Sequence, residues 1–465
     1  MQKVRPVSLS RHRELRPNYL AFPETIAQSI ANISPTLTPV LSIPLVVANA
    51  GNGTWLTYLI ATLGLLLVGL NVASFAQRRA SAGALYDYIF EGFGQGPGFL
   101  GGWSMLAAYL STAMALLVGF AIFVVQILNQ FHIHAPYLIV EVAGLIIAAT
   151  LAYKDIRLSS VTALIMEFSS VLLIMTLSII LLIKHGALWE HAQLSLQGIH
   201  PSGIALGLVL GVFSFVGFES STTLGQEAKN PHRSIPTAVI LSVILAGVFF
   251  TVMAYFEVLA YPGGLNTLSQ STAPLNTMVT AYHMTSFSLL IDVGAMISLF
   301  SCALASLNAG ARILYAMGRN QHVHDWIGQT HKTNRTPHVA ILVSSAITLL
   351  ALVALAGTKP LNAYGYFGTY ATYGFLIAYL LVSVAAPIVD RRQKRPWAGS
   401  LLRSGGAVIF LMIPIFGSVY PVPSYPYNIL PYAFLAYLGI GFAWNRFNSS
   451  TEPAVQSQSR EENEA

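Results

Sequence analysis

Along this chain apolar residues come in unbroken runs of about 20, the length that crosses a bilayer as a helix. Twelve runs stand out, near 24–49, 55–76, 99–128, 137–153, 158–184, 203–226, 236–260, 288–317, 338–356, 362–387, 404–420 and 428–445. Most lack the polar face that a helix in a soluble core would carry. The pattern predicts an all-α integral membrane protein with 12 transmembrane helices. Two runs are interrupted from within. The first, "TIAQSIANISPTLTPVLSIPLVVANAGNG", holds Pro35, Pro39 and Pro44. Proline removes an amide donor and clashes with the preceding turn, which predicts unwinding from Ser34 to Thr38. The sixth holds "FSFVGFESS" (213–221), where Gly217 stands beside the Glu219 carboxylate at a depth that disfavours both. Taken singly, these are a proline kink and a glycine that lets helices pack closely. Irregular backbone at membrane depth is tolerated only where it lines a cavity or is buried in protein. Breaks on the first and sixth runs are what two five-helix repeats of inverted topology require.

Composition sharpens the class. The chain has 465 residues, 54% hydrophobic and 9% charged, whereas soluble domains carry about 25% charged residues. With the amino terminus placed inside, 22 of the 24 lysines and arginines fall on cytoplasmic segments, leaving Lys184 and Lys359 outside. The net charge of +6 therefore reflects topology, not a nucleic-acid footprint. Both termini are expected in the cytoplasm, and the location is a cell membrane crossed many times, the inner membrane of a bacterium. Residues 1–22 read as a cytoplasmic tail with no cleavable signal, and 447–465 as a disordered one. The single cysteine, Cys302, allows no internal disulfide or cysteine metal site. The 12 histidines lie in tails, loops or run ends with no HExxH-like pair. No metal, cofactor or enzymatic centre is expected.

Ionisable groups inside a membrane are costly and mark function. Glu141, Glu257 and Asp292 sit at outer ends of runs and read as interfacial, reached by water. Glu167 and Glu219 lie well inside, with no lysine or arginine deep in any run. Each must then be protonated, hydrogen-bonded or set on a water-filled cavity.

Three longer motifs give these features a context. They are "SAGALYDYIFEGFGQGPGFLGGW" (81–103), "GFESSTTLGQEAKNPHRSIPTAV" (217–239) and "ASLNAGARILYAMGRN" (305–320) followed by "TP" (336–337). In order and spacing the sequence resembles the amino acid–polyamine–organocation permeases over most of its length. The resemblance implies a five-plus-five inverted repeat (helices 1–5 in 23–184, helices 6–10 in 203–387) with broken helices 1 and 6, plus two C-terminal helices in 404–446. It also implies alternating-access transport of amino acids or related amines by a monomer or homodimer in the lipid bilayer.

A broken helix exposes free N–H groups at one half-end and free C=O groups at the other, and a zwitterion needs both. The substrate carboxylate is expected on Ser34, Pro35, Thr36, Leu37 and Thr38. The ammonium is expected on the backbone of Phe215, Val216, Gly217 and Phe218, where glycine lets the backbone come close. By the resemblance Phe213 is an aromatic lid, Glu219 is the glutamate of the GFE motif, and Ala108 and Tyr109 contact the amino group. The tyrosine-rich "NAYGYFGTYATYGF" (362–375) reads as packing or as part of an outer gate. Two departures stand out: the first break is not glycine-rich, and the lysine that many members carry on helix 5 is missing. Counting thirteen residues from Asp155-Ile156-Arg157 reaches Ser170, with Glu167 one turn earlier. Proton coupling through Glu167 is the favoured expectation. Sodium held by Ser170, Ser301, Ser306 and Glu219 is the alternative. Rival readings are a polyamine or amine permease, an amino acid exchanger, and a non-transporting nutrient sensor of the same fold. The lack of any acid in the first run beyond Glu24 favours a zwitterion.

Overall fold

The computed structural model describes residue 15 and residues 17–449 apart from 155, 272, 421 and 424, with backbone alone at 156–160, 163–164 and 447–449. The basic residues before Leu15, Asp155, the side chains of Ile156 and Arg157, and the tail from 450 lie outside this description. The described chain is helical, and its one β-pairing is an isolated bridge from Leu20 to Ala228.

The first run folds as two helices, α1 (Phe22–Ile33) and α2 (Ile43–Ala50). Pro23 suits the first turn of α1, where no amide partner is needed. Ser34 ends it in a left-handed conformation (φ 50°), and Pro35 cannot resume the helix. A single π-helical stretch, Thr38–Ser42, then leads into α2. Next come α3 (Thr54–Ala76), the short α4 (Leu85–Phe93), α5 (Gln95–Gln130), α6 (Tyr137–Lys154), α7 (Ile156–His185) and the one-turn α8 (His191–Leu194). The sixth run forms α9 (Pro201–Phe213) only as far as Phe213, and turns follow to a 3₁₀ segment, Ser220–Leu224. Beyond lie α10 (Pro231–Ala260), the short α11 (Gly264–Leu268) and α12 (Pro274–Ala281), and α13 (Ser288–Arg319). The chain continues through α14 (His338–Ala354), α15 (Pro360–Arg392), α16 (Trp397–Gly417) and α17 (Leu430–Ser449). Eight described stretches are long and apolar enough to cross a membrane, while α9 and α14 are shorter apolar helices.

Helix α5 runs through the middle of the bundle, packed against α13 and α15. Small residues permit this closeness. A Cβ added at Gly374 of α15 would lie 2.6 Å from the Ser104 carbonyl oxygen of α5. The outer surface is apolar instead: Ile165, Phe168, Leu172, Met175, Ile179 and Ile183 of α7 are all exposed, spaced three or four residues apart. A helix that turns such a stripe outward faces lipid.

Two sequence readings are corrected here. Glu257 and Asp292 are not reached by water, with exposures of 0% each, and Glu141 keeps only 6%. Asp292 accepts hydrogen bonds from Gln126, Gln130 and Asn276 of α12. Counting residues to a run's end takes no account of outer segments that fold back over it. Nor does Arg312 belong to a cytoplasmic loop. It is buried in α13, and its Nε and Nη2 both donate to Glu227 Oε2, Nη2 at 2.7 Å.

Candidate functional site

The two interruptions lie side by side. Ser220 Oγ donates to the Gln28 carbonyl at 3.0 Å, and the Ser221 amide donates to Ser29 Oγ at 3.1 Å. Gly217 has φ 94°, a region natural to glycine, and a Cβ there would stand 1.9 Å from Asn32 Nδ2. The room left by the missing side chain is thus occupied by Asn32, the next-to-last residue of α1. Asn32 is tied to α13 as well: its side-chain oxygen accepts from Ser306 Oγ at 2.6 Å, and its carbonyl from the Cys302 thiol. Nothing in the sequence pattern singled out Asn32, because an asparagine in an apolar run looks the same whether it packs or bridges.

Around the break in α1 the expected residues fall on one polar chain. Ser34 Oγ and Ser298 Oγ are hydrogen-bonded at 2.7 Å, and Ser298 Oγ donates to Glu167 Oε2 at 2.7 Å. The Thr36 amide and hydroxyl approach the same carboxyl group. Even so, Thr36 Oγ1, Thr38 Oγ1 and Glu167 Oε1 are buried without a hydrogen-bond partner. Asn32 Nδ2 and the Tyr364 hydroxyl share that state nearby. Buried polar atoms are normally paired. Five of the buried polar atoms left without a partner belong to residues of the two breaks or of the helices beside them.

Other expected residues have protein partners already. Glu219 accepts from Tyr109 of α5 at 2.6 Å and from Tyr379 of α15. Its carboxylate therefore knits three elements below the break. Ala108 packs against Gly374. Ser170 Oγ donates to the Gly294 carbonyl at 2.6 Å, and Ser306 Oγ donates to Asn32 Oδ1. Ser301 is buried on α13. Phe215 and Phe218 are buried, against Phe250 and Tyr379 respectively. Their carbonyls take part in turns: Phe215 accepts from the Phe218 amide, Gly217 from Ser220. Val216 is buried in the same turn. Phe213 meets Tyr364 of α15 edge to face, ring centroids 6.5 Å apart, and its ring lies over Gly368. That contact lies at the α9 end of the second break, and Glu219 with its two tyrosines lies at the other end.

Comparison with known proteins places the chain among permeases. A family model described as "Amino acid permease" matches residues 25–420. Branched-chain amino acid permease BcaP of Bacillus subtilis is 23% identical over 366 residues, covering 74% of this chain and 75% of that protein. The permease of the same name from Lactococcus lactis is 25% identical, covering 74% and 76%. Low-affinity putrescine importer PlaP of Escherichia coli is 26% identical over 308 residues, covering 63% and 66%.

Proposed function

Since the chain belongs to the amino acid permease family and is a membrane transporter, not an enzyme, we propose that it carries amino acids into the cell by proton-coupled alternating access. In this reading the twelve runs are twelve spans in a five-plus-five inverted repeat with two further helices. The membrane is the bacterial inner membrane, and both termini are cytoplasmic. The observation that carries the proposal is the Ser34–Ser298–Glu167 chain, which joins the break in α1 to a buried carboxyl group on α7.

The mechanism follows from competition for the same donors. Ionised, Glu167 draws on Ser298 and the Thr36 amide and hydroxyl. Protonated, it no longer needs them, and they turn to the substrate carboxylate. The ammonium takes the carbonyl side of the second break around Val216. Proton and amino acid then load together: the proton neutralises the Glu167 carboxylate, so the loaded site, a neutral carboxylic acid beside a zwitterion, carries no net charge. Phe213 and Tyr364 close one side of the chamber, and the Tyr109–Glu219–Tyr379 layer opens on the other. A polyamine would want unclaimed carboxylates at both of its ends, whereas both oxygens of Glu219 are held by tyrosines and Glu167 keeps one oxygen on Ser298. That favours a zwitterion. Uptake of labelled amino acids into proteoliposomes should rise as external pH falls and be indifferent to replacing sodium with choline. Glu167→Gln should flatten the pH dependence while amino acid exchange persists. Uptake that requires sodium and ignores pH would refute the coupling and leave transport standing.

A further inference from the structure

The mechanism uses the Tyr364 ring, set against Phe213, but gives its hydroxyl no role. Tyr364, near the start of α15, is 5% exposed, and its hydroxyl has no hydrogen-bond partner. The ring is fixed from several sides. Phe213 meets it edge to face at 6.5 Å. On the opposite flank, a Cβ at Gly119 of α5 would be 3.6 Å from Tyr364 Cδ2 and 3.0 Å from Leu299 of α13. Leu299, which shares that contact with the Tyr364 ring, lies about one turn of α13 from Cys302, whose thiol donates to the Asn32 carbonyl in the last turn of α1. Tyr364 therefore spans from the residue that precedes the second break to the element that borders the first. Phe213, Leu299, Gly119 and the Tyr364 ring supply apolar surface and no charge. Among these four residues the Tyr364 hydroxyl is the polar group.

We infer that the Tyr364 hydroxyl selects the transported side chain, favouring neutral amino acids that carry a hydrogen-bonding group, of the serine, threonine, asparagine or glutamine class, over aliphatic ones. The inference rests on reading the two breaks as an amino acid site, since only then does a side chain project onto this wall. A buried hydroxyl left unpaired costs free energy, and a site built around one discriminates against a ligand that cannot answer it. An aliphatic guest would leave Tyr364 as it stands now. A guest with a hydroxyl or amide would pair it, while the surrounding apolar surface holds the rest of the side chain. A charged side chain would find no counter-ion on this wall.

Threonine and valine differ by a hydroxyl for a methyl and are nearly the same size, so they isolate the effect. Competition against labelled alanine uptake, in proteoliposomes of the full chain, should show threonine outcompeting valine about tenfold in the wild type. In Tyr364→Phe the threonine-to-valine ratio should fall to about one. Valine equal to or better than threonine in the wild type overturns the inference, even if the variant cannot be folded. So does Tyr364→Phe weakening both competitors equally, because the hydroxyl would then serve the shared amino acid portion or the fold. If no neutral amino acid is taken up or competes, the underlying site reading fails as well. If they compete but without this preference, the side-chain inference fails alone.

Discussion

Gly217 concentrates the problem that a residue faces in this molecule. Its φ of 94° costs a residue with a Cβ about 1–2 kcal/mol, and the Cβ would also meet Asn32 Nδ2 at 1.9 Å. Gly217→Ala should therefore lower folded yield and thermal stability in detergent, beyond any effect on transport. Adding Asn32→Ala should recover part of that loss, because it removes the clash but not the backbone strain. Strictly additive losses in the melting series would mean the two residues do not meet. Asp87, in α4 and outside the long apolar helices, offers a second test. Burial pushes its carboxyl up to about 6 from an ordinary 3.8, against the opposing pull of Arg79. The folded chain then holds a proton that the unfolded chain has released, so stability falls as pH rises from about 4 to about 6 and stays lower above that. Asp87→Asn should flatten this part of the stability curve. Melting temperatures at pH 4.5 and 7.5 should differ less in the variant than in the wild type.

Between elements, buried polar connections tie together segments far apart in the chain. Arg312 of α13 holds Glu227, which lies between the 3₁₀ segment and α10, and the Tyr19 and Leu20 amides bond the Glu227 carbonyl. The amino-terminal stretch, the end of the sixth run and α13 thus share one buried junction. Arg312→Ala should destabilise the protein by about 3–5 kcal/mol, the usual consequence of removing one partner from a buried pair. Pairing it with Glu227→Gln should recover much of the loss. A change under about 1 kcal/mol in detergent melts would mean the pair is dispensable. The Phe213–Tyr364 contact, by contrast, joins apolar rings without polar anchors. Phe213→Ala should leave substrate affinity within about tenfold and show its effect in the transport rate.

For the whole molecule, orientation is the testable quantity. In a background without Cys302, single cysteines at Gln197 and Gln270 should react with an impermeant reagent from outside, and those at Gln95 and Gln321 should not. All four positions are exposed, whereas the neighbouring Gln193 is fully buried against Tyr255 and Trp55 and would react poorly from either side. The reverse labelling pattern would overturn the orientation drawn from lysine and arginine.

The sequence by itself determined the solvent, the class of fold and the places where helices stop. Runs of about 20 apolar residues with little charge leave helices in lipid as the economical solution, because backbone groups there must pair within the segment. Proline at 35 and glycine at 217 act on their own backbone, so the interruptions of α1 and after α9 were legible from local chemistry alone. Tertiary structure decided what those interruptions face. It put Asn32 into the space beside Gly217, joined Ser34 to Glu167 through Ser298, and gave Glu219 to two tyrosines from helices 110 and 160 residues away in sequence. It also buried Glu257, and set Asp292 against Asn276 and Arg312 against Glu227, on segments that read as ordinary loops or run ends. Such pairings depend on which faces of distant helices meet. In a membrane nearly every face is apolar, so periodicity carries little record of that choice.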